Sequence, residues 1–406
     1  MSRSRASEVL AIKDFRWFFL ARLVSSLGSS MAPVALAFAV LEIDNSPSAV
    51  GLVVAGRMVA LVVFLLIGGV VSDRVSRRVV LQVSHILTGL TQGLVACLII
   101  SGHATVMSVL VIECLNGAVS AFTMPAMQGI IPQLVPYRLL QQANSLMSFT
   151  RHGSLLLGPA IAGAIVAGPG AGWALAVDAG TYAVAVIALA MVALPPVIKR
   201  ESSMVADLRE GWGEFASRTW LWAVVVAFGF LNAIHVGVIS VLGPYFAKEH
   251  PVTLGERGWG LVLSAEAVGA LVMTFILIRG DMKHPLRAGM IGIACLVPLI
   301  MALGLAPTLW VLIPIAIFAG AGGNVFGTGW SIAVMENVPA EAQSRVWSYD
   351  MLGSFVAIPI GTVVFGWLAE AVDPGPLVVC AGVAYAALCL ATLAVPSVRN
   401  LSRVAN

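Results

Sequence analysis

Twelve runs of apolar residues, each long enough to cross a bilayer, constrain this chain more than any other feature. They fall at roughly 15–41, 49–72, 79–101, 104–131, 140–168, 172–195, 219–247, 258–280, 286–305, 308–335, 344–371 and 375–396. A helix needs about 20 mostly apolar residues to span the hydrocarbon core. The expected architecture is therefore an all-α membrane protein with twelve transmembrane helices. Composition agrees: 59% of residues are hydrophobic and 11% charged, against about a quarter charged in soluble domains. Residues 1–14 are short and polar, so the first run is read as an uncleaved anchor rather than a signal peptide.

The basic residues set the orientation. With both termini in the cytoplasm, 18 of the 23 Lys and Arg fall on that side or at its interface. Only Lys248 and Arg257 then lie outside, while Arg22, Arg57 and Arg151 fall within spans. This is the positive-inside pattern, so the formal net charge of +3 reports topology rather than a nucleic-acid partner. The longest break between runs divides the chain into an N-terminal six-helix bundle (1–195), a cytoplasmic linker (196–218) and a C-terminal six-helix bundle (219–406). In the linker, Leu208, Trp212 and Phe215 share one helical face, with Asp207, Arg209, Glu210 and Glu214 largely off it. That pattern suits either a surface helix in the headgroup region or a plain connector.

The halves read as weak repeats. Gly51-Leu52-Val53-Val54-Ala55-Gly56-Arg57 resembles Gly260-Leu261-Val262-Leu263-Ser264-Ala265-Glu266, a shift of 209 residues. Ser148-Phe149, Gly153-Ser154 and Pro159 recur as Ser348-Tyr349, Gly353-Ser354 and Pro359, a shift of 200. Two pseudo-symmetric six-helix bundles follow from such a duplication.

Several chemistries are excluded by absent motifs. None of the lysines (Lys13, Lys199, Lys248, Lys283) is followed by Ser or Thr, so no Walker A loop exists. No H-E-x-x-H metal site and no G-x-S-x-G elbow occurs. Cys97, Cys114, Cys295, Cys380 and Cys389 all lie within spans without a C-x-x-C, which marks them as small core residues. An enzyme, a metal site and a bound cofactor are not expected.

The most specific local signal is Gly69-Val70-Val71-Ser72-Asp73-Arg74-Val75-Ser76-Arg77-Arg78. It resembles the signature loop between the second and third helices of the major facilitator superfamily, with Ser76 where the family usually has glycine. The basic residues hold the loop in the cytoplasm, and Asp73 can face the positive N-terminal end of a helix. The resemblance implies a gating role for Gly69, Asp73, Arg74, Arg77 and Arg78. Pro125-Ala126, Pro132, Ala143-Asn144-Ser145-Leu146, Gly158-Pro159-Ala160-Ile161-Ala162-Gly163 and Asp178 extend it to the branch containing macrolide-efflux and enterobactin-export proteins. Gly158, Pro159 and Gly163 also resemble the fifth-helix motif of exporters that exchange substrate for protons; tight helix packing is the plainer account of the same residues. Two departures stand out. Glu113 occupies the place of a frequent family arginine, ahead of Asn116-Gly117, and Ser29 follows Gly28 where the branch often has an acid.

Within the spans, Arg22, Arg57 and Arg151 face four acids, Glu113, Asp178, Glu266 and Asp350. Each charge costs about 2.5–3.5 kcal/mol at a helix centre on insertion scales, so functional placement is the expectation. Polar stripes recur at helical spacing: Arg22, Ser25, Ser26, Ser29; Glu113, Asn116, Gly117, Ser120; Asn232, His235; and Asn324, Thr328, Ser331. By resemblance these four helices, the first, fourth, seventh and tenth, line the substrate cavity, to which Arg151 is added; helix-to-helix hydrogen bonding is the competing account. His152 and His235 relay protons, bind substrate or satisfy a carbonyl. Trp330 and Trp347 stack on a large ligand or anchor at the lipid interface.

Glu113 has two readings. In one it pairs permanently with an arginine and stabilises one packing arrangement. In the other it gains and loses a proton as the cavity switches sides, with Glu266 and Asp178 as competitors. Arg57 and Asp350 are assigned to gating. The function expected is a proton-coupled antiporter that exports a bulky small molecule from a bacterial inner membrane, working as a monomer with protons, a small-molecule substrate and the bilayer as partners. A symporter or facilitated uptake carrier is the alternative within transport. A non-transporting sensor or lipid-handling protein is the alternative outside it.

Overall fold

The computed structural model describes residues 5–193, 212–213, 215–280 and 282–403, without the side chains of certain helical positions, among them 66–74 and 77. Strands are absent among the described residues. The long helices in chain order are α1 (Lys13–Ile43), α2 (Pro47–Arg74), α3 (Arg77–Ile100), α4 (Val106–Leu134), α5 (Leu140–Val166) and α6 (Ala171–Ala190). They continue as α7 (Thr219–Glu249), α8 (Gly255–Leu277), α9 (Pro285–Leu305), α10 (Leu309–Asn337), α11 (Ala340–Phe355, resuming at Ile358–Ala371) and α12 (Pro374–Ala394). Short helices at Arg5–Ala11 and Pro396–Arg399 flank them.

Eleven of the described helices are apolar and long enough to cross a membrane. α5 completes the twelve by its length of 27 residues, about 40 Å at 1.5 Å per residue. Arg151 and His152 dilute its apolar character at mid-helix. The outward faces carry large apolar side chains such as Leu90, Phe149, Ile187, Phe275 and Leu390, as a lipid-facing exterior requires. The five cysteines are free.

The chain divides into two compact units, Met1–Asn45 with Leu52–Arg200, and Ser46–Gly51 with Glu201–Asn406. The opening turn of α2 thus belongs by packing to the second unit. Most of the linker at 196–218, including Asp207, Leu208, Arg209, Glu210 and Glu214, lies outside the described residues. Trp212 and Phe215 are described; their rings stack at 5.7 Å and both meet Tyr349 of α11.

In the first unit α1 packs along α5 and α6, and α3 along α4 and α6. In the second, α7 packs on α11, and α10 on α8 and α9. The closest joints use glycine, because lipid supplies no hydrophobic drive between helices and small residues let backbones approach. A Cβ on Gly158 of α5 would collide with Ser30 of α1, and one on Gly361 of α11 with the Ala233 backbone of α7. Likewise Gly117 of α4 abuts the Arg57 carbonyl of α2, and Gly320 of α10 abuts the Glu266 carbonyl of α8.

These joints fix the repeat register. Ser30 and Ala233, Gly158 and Gly361, and Gly117 and Gly320 are each 203 residues apart, while Arg57 and Glu266 keep the 209 read from sequence. The shift of 200 for the fifth and eleventh helices therefore moves by three residues, close to one turn. Proline misleads that alignment. Pro159 lies inside unbroken α5, whereas Pro359 sits just after a break, opening the second segment of α11.

Candidate functional site

Thr105 starts α4 with a reciprocal cap to Ser108, and Glu113 follows two turns in. Residues 113, 116, 117 and 120 recur every three or four positions, so one stripe of α4 is polar. Glu113 is fully buried. The Arg57 Nη1 of α2 donates to its Oε2 at 3.2 Å, and the Gln92 Nε2 of α3 donates to its Oε1 at 3.4 Å. One turn on, the Asn116 Nδ2 donates to Thr91 Oγ1 at 3.2 Å, and Ser120 returns a hydrogen bond to the Asn116 carbonyl. Gly117 is what lets α4 close on the turn of α2 that carries Arg57. The structure places Glu113 in an ion pair, in which a buried charge is tolerated because its partner and a further donor are supplied.

Asp178 on α6 is also buried, at 1% exposure, so it is not a wet residue at the end of its span. Arg57 and Glu113 are the charges that act on it. Its Oδ1 has no hydrogen-bond partner among the described residues. Gly28 of α1 presses directly on Asp178 and Thr181, so no larger residue fits at position 28. Arg57 thus pairs with Glu113 and lies within electrostatic range of Asp178.

A second group lies toward the Lys13 end of α1. Ser29 Oγ donates to the Ser25 carbonyl at 2.7 Å and is 2.8 Å from the Tyr182 hydroxyl of α6. His85 of α3 meets the Tyr182 ring edge-on, centroids 5.3 Å apart. Arg22 is half-buried and Arg151 exposed. His152 bonds its own helix at the Ser148 carbonyl, 2.8 Å away, which is the local, satisfied role.

The second unit is built differently. Asp350 of α11 accepts from Trp330 Nε1 and from Ser354 Oγ, both at 3.0 Å, and Asn232 of α7 donates to the Ser354 carbonyl at 3.0 Å. Phe228 and Phe326 stack at 4.0 Å, Phe326 and Trp330 at 6.2 Å, and Trp347 and Trp220 meet Trp330 edge-on. Trp330 is thus an interior residue, 5% exposed, rather than a lipid anchor. Glu266 makes no ion pair or hydrogen bond among the described residues, although Tyr385 of α12 lies within reach of its charge. His235 Nδ1 and Asn324 Oδ1 are buried without partners among the described residues. Thr328 is half-buried.

Gly69 lies within α2, and the side chains of Asp73, Arg74 and Arg77 lie outside the described residues. Arg78 Nη2 donates to the Ala190 carbonyl at 2.6 Å, tying α3 to the end of α6. Ser76 has φ −55°, an ordinary conformation, so this turn does not need the family's glycine. Gly158, Pro159 and Gly163 are all buried along α5.

The structure thus brings Glu113, Arg57, Asn116 and Asp178 together, and joins Asp350 to Asn232 through Ser354. It leaves Glu266 apart from any cation among the described residues. Gln92, Thr91, His85 and Tyr182 were not singled out from the sequence. Thr91-Gln92 and His85 are polar positions within an apolar span, a signal present on a helix outside the four assigned to the cavity.

The pattern of the Major Facilitator Superfamily matches residues 18–362. The chain is similar to the enterobactin exporter EntS of Shigella boydii serotype 18 (strain CDC 3083-94 / BS512), 25% identical over 296 residues, 72% of this chain and 69% of the relative. It is similar to the same exporter of Citrobacter koseri, 25% identical over 293 residues, 71% and 68%. Among solved structures, the nucleoside transporter NupG matches with a TM-score of 0.75 at 14% identity, over 96% of this chain and 99% of that one. A D-xylose-proton symporter matches at 0.70 and 14%, over 98% and 100%. At such identity these structures establish the fold alone.

Proposed function

Because the chain belongs to the major facilitator superfamily, we propose that it is a secondary active transporter exporting a bulky small molecule in exchange for protons by alternating access. The observation that carries this reading is the buried Asp178, its Oδ1 without a hydrogen-bond partner among the described residues, in the field of the Arg57–Glu113 ion pair. A cluster with one more carboxyl than cation can take up and release a proton without breaking its ion pair. Glu113 is then the fixed partner of Arg57, and Asp178 is the carboxyl that changes charge. Glu266, with no cation paired to it among the described residues, is a second coupling site. Each proton entering down a 100 mV potential supplies about 2.3 kcal/mol.

Export is favoured by the similarity to enterobactin exporters and by the Gly158-Pro159 motif of α5. Arg22, Ser29, Asn116, Arg151, Asn232, His235, Asn324 and Thr328 are assigned to the substrate cavity. Gly69, Asp73, Arg74, Arg77, Arg78 and Asp350 are assigned to gating, with Gly158, Pro159 and Gly163 forming a helix joint that moves with it. The membrane is the bacterial inner membrane, both termini are cytoplasmic, and the monomer is the working unit.

Proteoliposomes under an imposed pH gradient test this, with macrolides, siderophores and cationic dyes added in turn. Asp178→Asn is expected to abolish ligand-triggered proton movement while ligand binding persists. Undiminished proton movement in that variant would sink Asp178 as the carrier.

A further inference from the structure

The three arginines within the spans of the first unit differ in what they meet. Arg57 is engaged by Glu113 and acts on Asp178. Arg22 and Arg151, by contrast, make no ion pair and no side-chain hydrogen bond among the described residues. The two are nevertheless close. Ser30 of α1 donates to the Ser154 carbonyl of α5 at 2.8 Å, which sets those residues at one height. Arg22 lies eight residues before Ser30 and Arg151 three before Ser154, and α1 and α5 run in the same direction. Their heights then differ by five residues, about 7.5 Å at 1.5 Å per residue. An arginine side chain is long enough to reach across that height, and Arg22 lies in the fields of Tyr182 and Arg151.

Among the described residues no acid pairs with either arginine. Ser29 gives its hydroxyl proton to Ser25, so Tyr182 is the donor in the Ser29–Tyr182 bond, and this hydroxyl chain is closed on itself. His85, beside Tyr182, also lies in the field of Arg22. Asp178, one turn along α6 from Tyr182, lies in the field of Arg57 and makes no ion pair with Arg22 or Arg151 among the described residues. Two like charges held together inside a span repel, and intramembrane charges otherwise pair or meet a water-filled cavity. The open donors are the two guanidinium forks, whose planar geometry matches a carboxylate or similar oxyanion.

We propose that Arg22 and Arg151 form a receptor for an anionic group, a carboxylate or compact oxyanion, carried by the transported molecule. This rests on the transporter reading above and narrows its substrate class. An anionic lipid headgroup offers the same chemistry, so the test separates the two sources.

The full-length protein in phosphatidylcholine nanodiscs is titrated with 1-naphthoate, 1-naphthamide and 1-naphthylmethylammonium, following thermal unfolding. Naphthoate alone is expected to stabilise the wild type. Its affinity is expected to fall about tenfold or more in Arg22→Gln and in Arg151→Gln, as loss of a charged hydrogen-bond partner implies, with Arg22→Lys retaining part of it. Equal stabilisation by the amide, or unchanged naphthoate affinity in both Gln variants, overturns the proposal. So does stabilisation by phosphatidylglycerol nanodiscs with no further effect of naphthoate, which assigns the pair to lipid. Naphthoate binding without flux of any compound leaves the receptor standing and counts against transport. Flux of the ammonium compound without naphthoate binding does the reverse.

Discussion

The two units share their joints and differ in what the joints carry. In the first, Gly117 meets the backbone of Arg57, whose side chain pairs with Glu113, itself held by Gln92, near buried Asp178. In the second, Gly320 meets the backbone of Glu266, whose side chain finds no cation among the described residues, and the polar work passes to Asp350 amid stacked aromatic rings. A joint constrains a glycine and a carbonyl but leaves the side chain at that carbonyl free. Duplicated helices can thus keep their packing while their chemistry diverges, here toward charge in one unit and aromatic surface in the other.

The largest test of that contrast removes the cation. Arg57→Met leaves Glu113 buried without its partner and should cost about 3–5 kcal/mol of stability, as for broken buried pairs. Glu113→Gln with Arg57→Met should recover much of it, read by thermal unfolding in detergent. A single variant that melts like wild type would erase the difference between the units. Next, Gly117→Ala and Gly320→Ala each place a methyl against a backbone carbonyl. Both should cost about 1–3 kcal/mol, as overpacking does; a large effect at one and none at the other would deny the common joint. The smallest effect is expected from Asp350→Asn, which keeps an acceptor for Trp330 but loses the charge, at about 1 kcal/mol. Tryptophan emission should shift with it, and a loss as large as that of Arg57→Met would make the second unit as charge-dependent as the first.

The membrane fold was legible because hydrocarbon demands long apolar helices, and α5 shows the limit. Its length and context identify it, while Arg151 and His152 blur its hydropathy. Glu113 was legible as an acid in an apolar run with a polar stripe beneath it. Its partner was not, since helical spacing orders residues on one helix and Arg57 and Gln92 arrive from two others. Asp178 stayed ambiguous because depth in a span cannot be read without the neighbour, Gly28, that seals it. The repeat of the fifth and eleventh helices slipped by a turn because Ser, Gly and Pro were matched by type, whereas the joint between backbones is what duplication preserved.

The same register sets two unlike flaws side by side. Pro33 lies three residues after Ser30 within α1. Its counterpart by the 203-residue offset is Val236, where α7 passes into the π turn of Gly237–Leu242. Proline removes a rung from the helical ladder, and a π turn re-spaces the rungs by one residue; both are recognised causes of bending. Seen as engineering, two beams cast from one mould have been notched at the same height by different tools. Two different means of bending at one register position mark it as the weak point that α1 and α7 share.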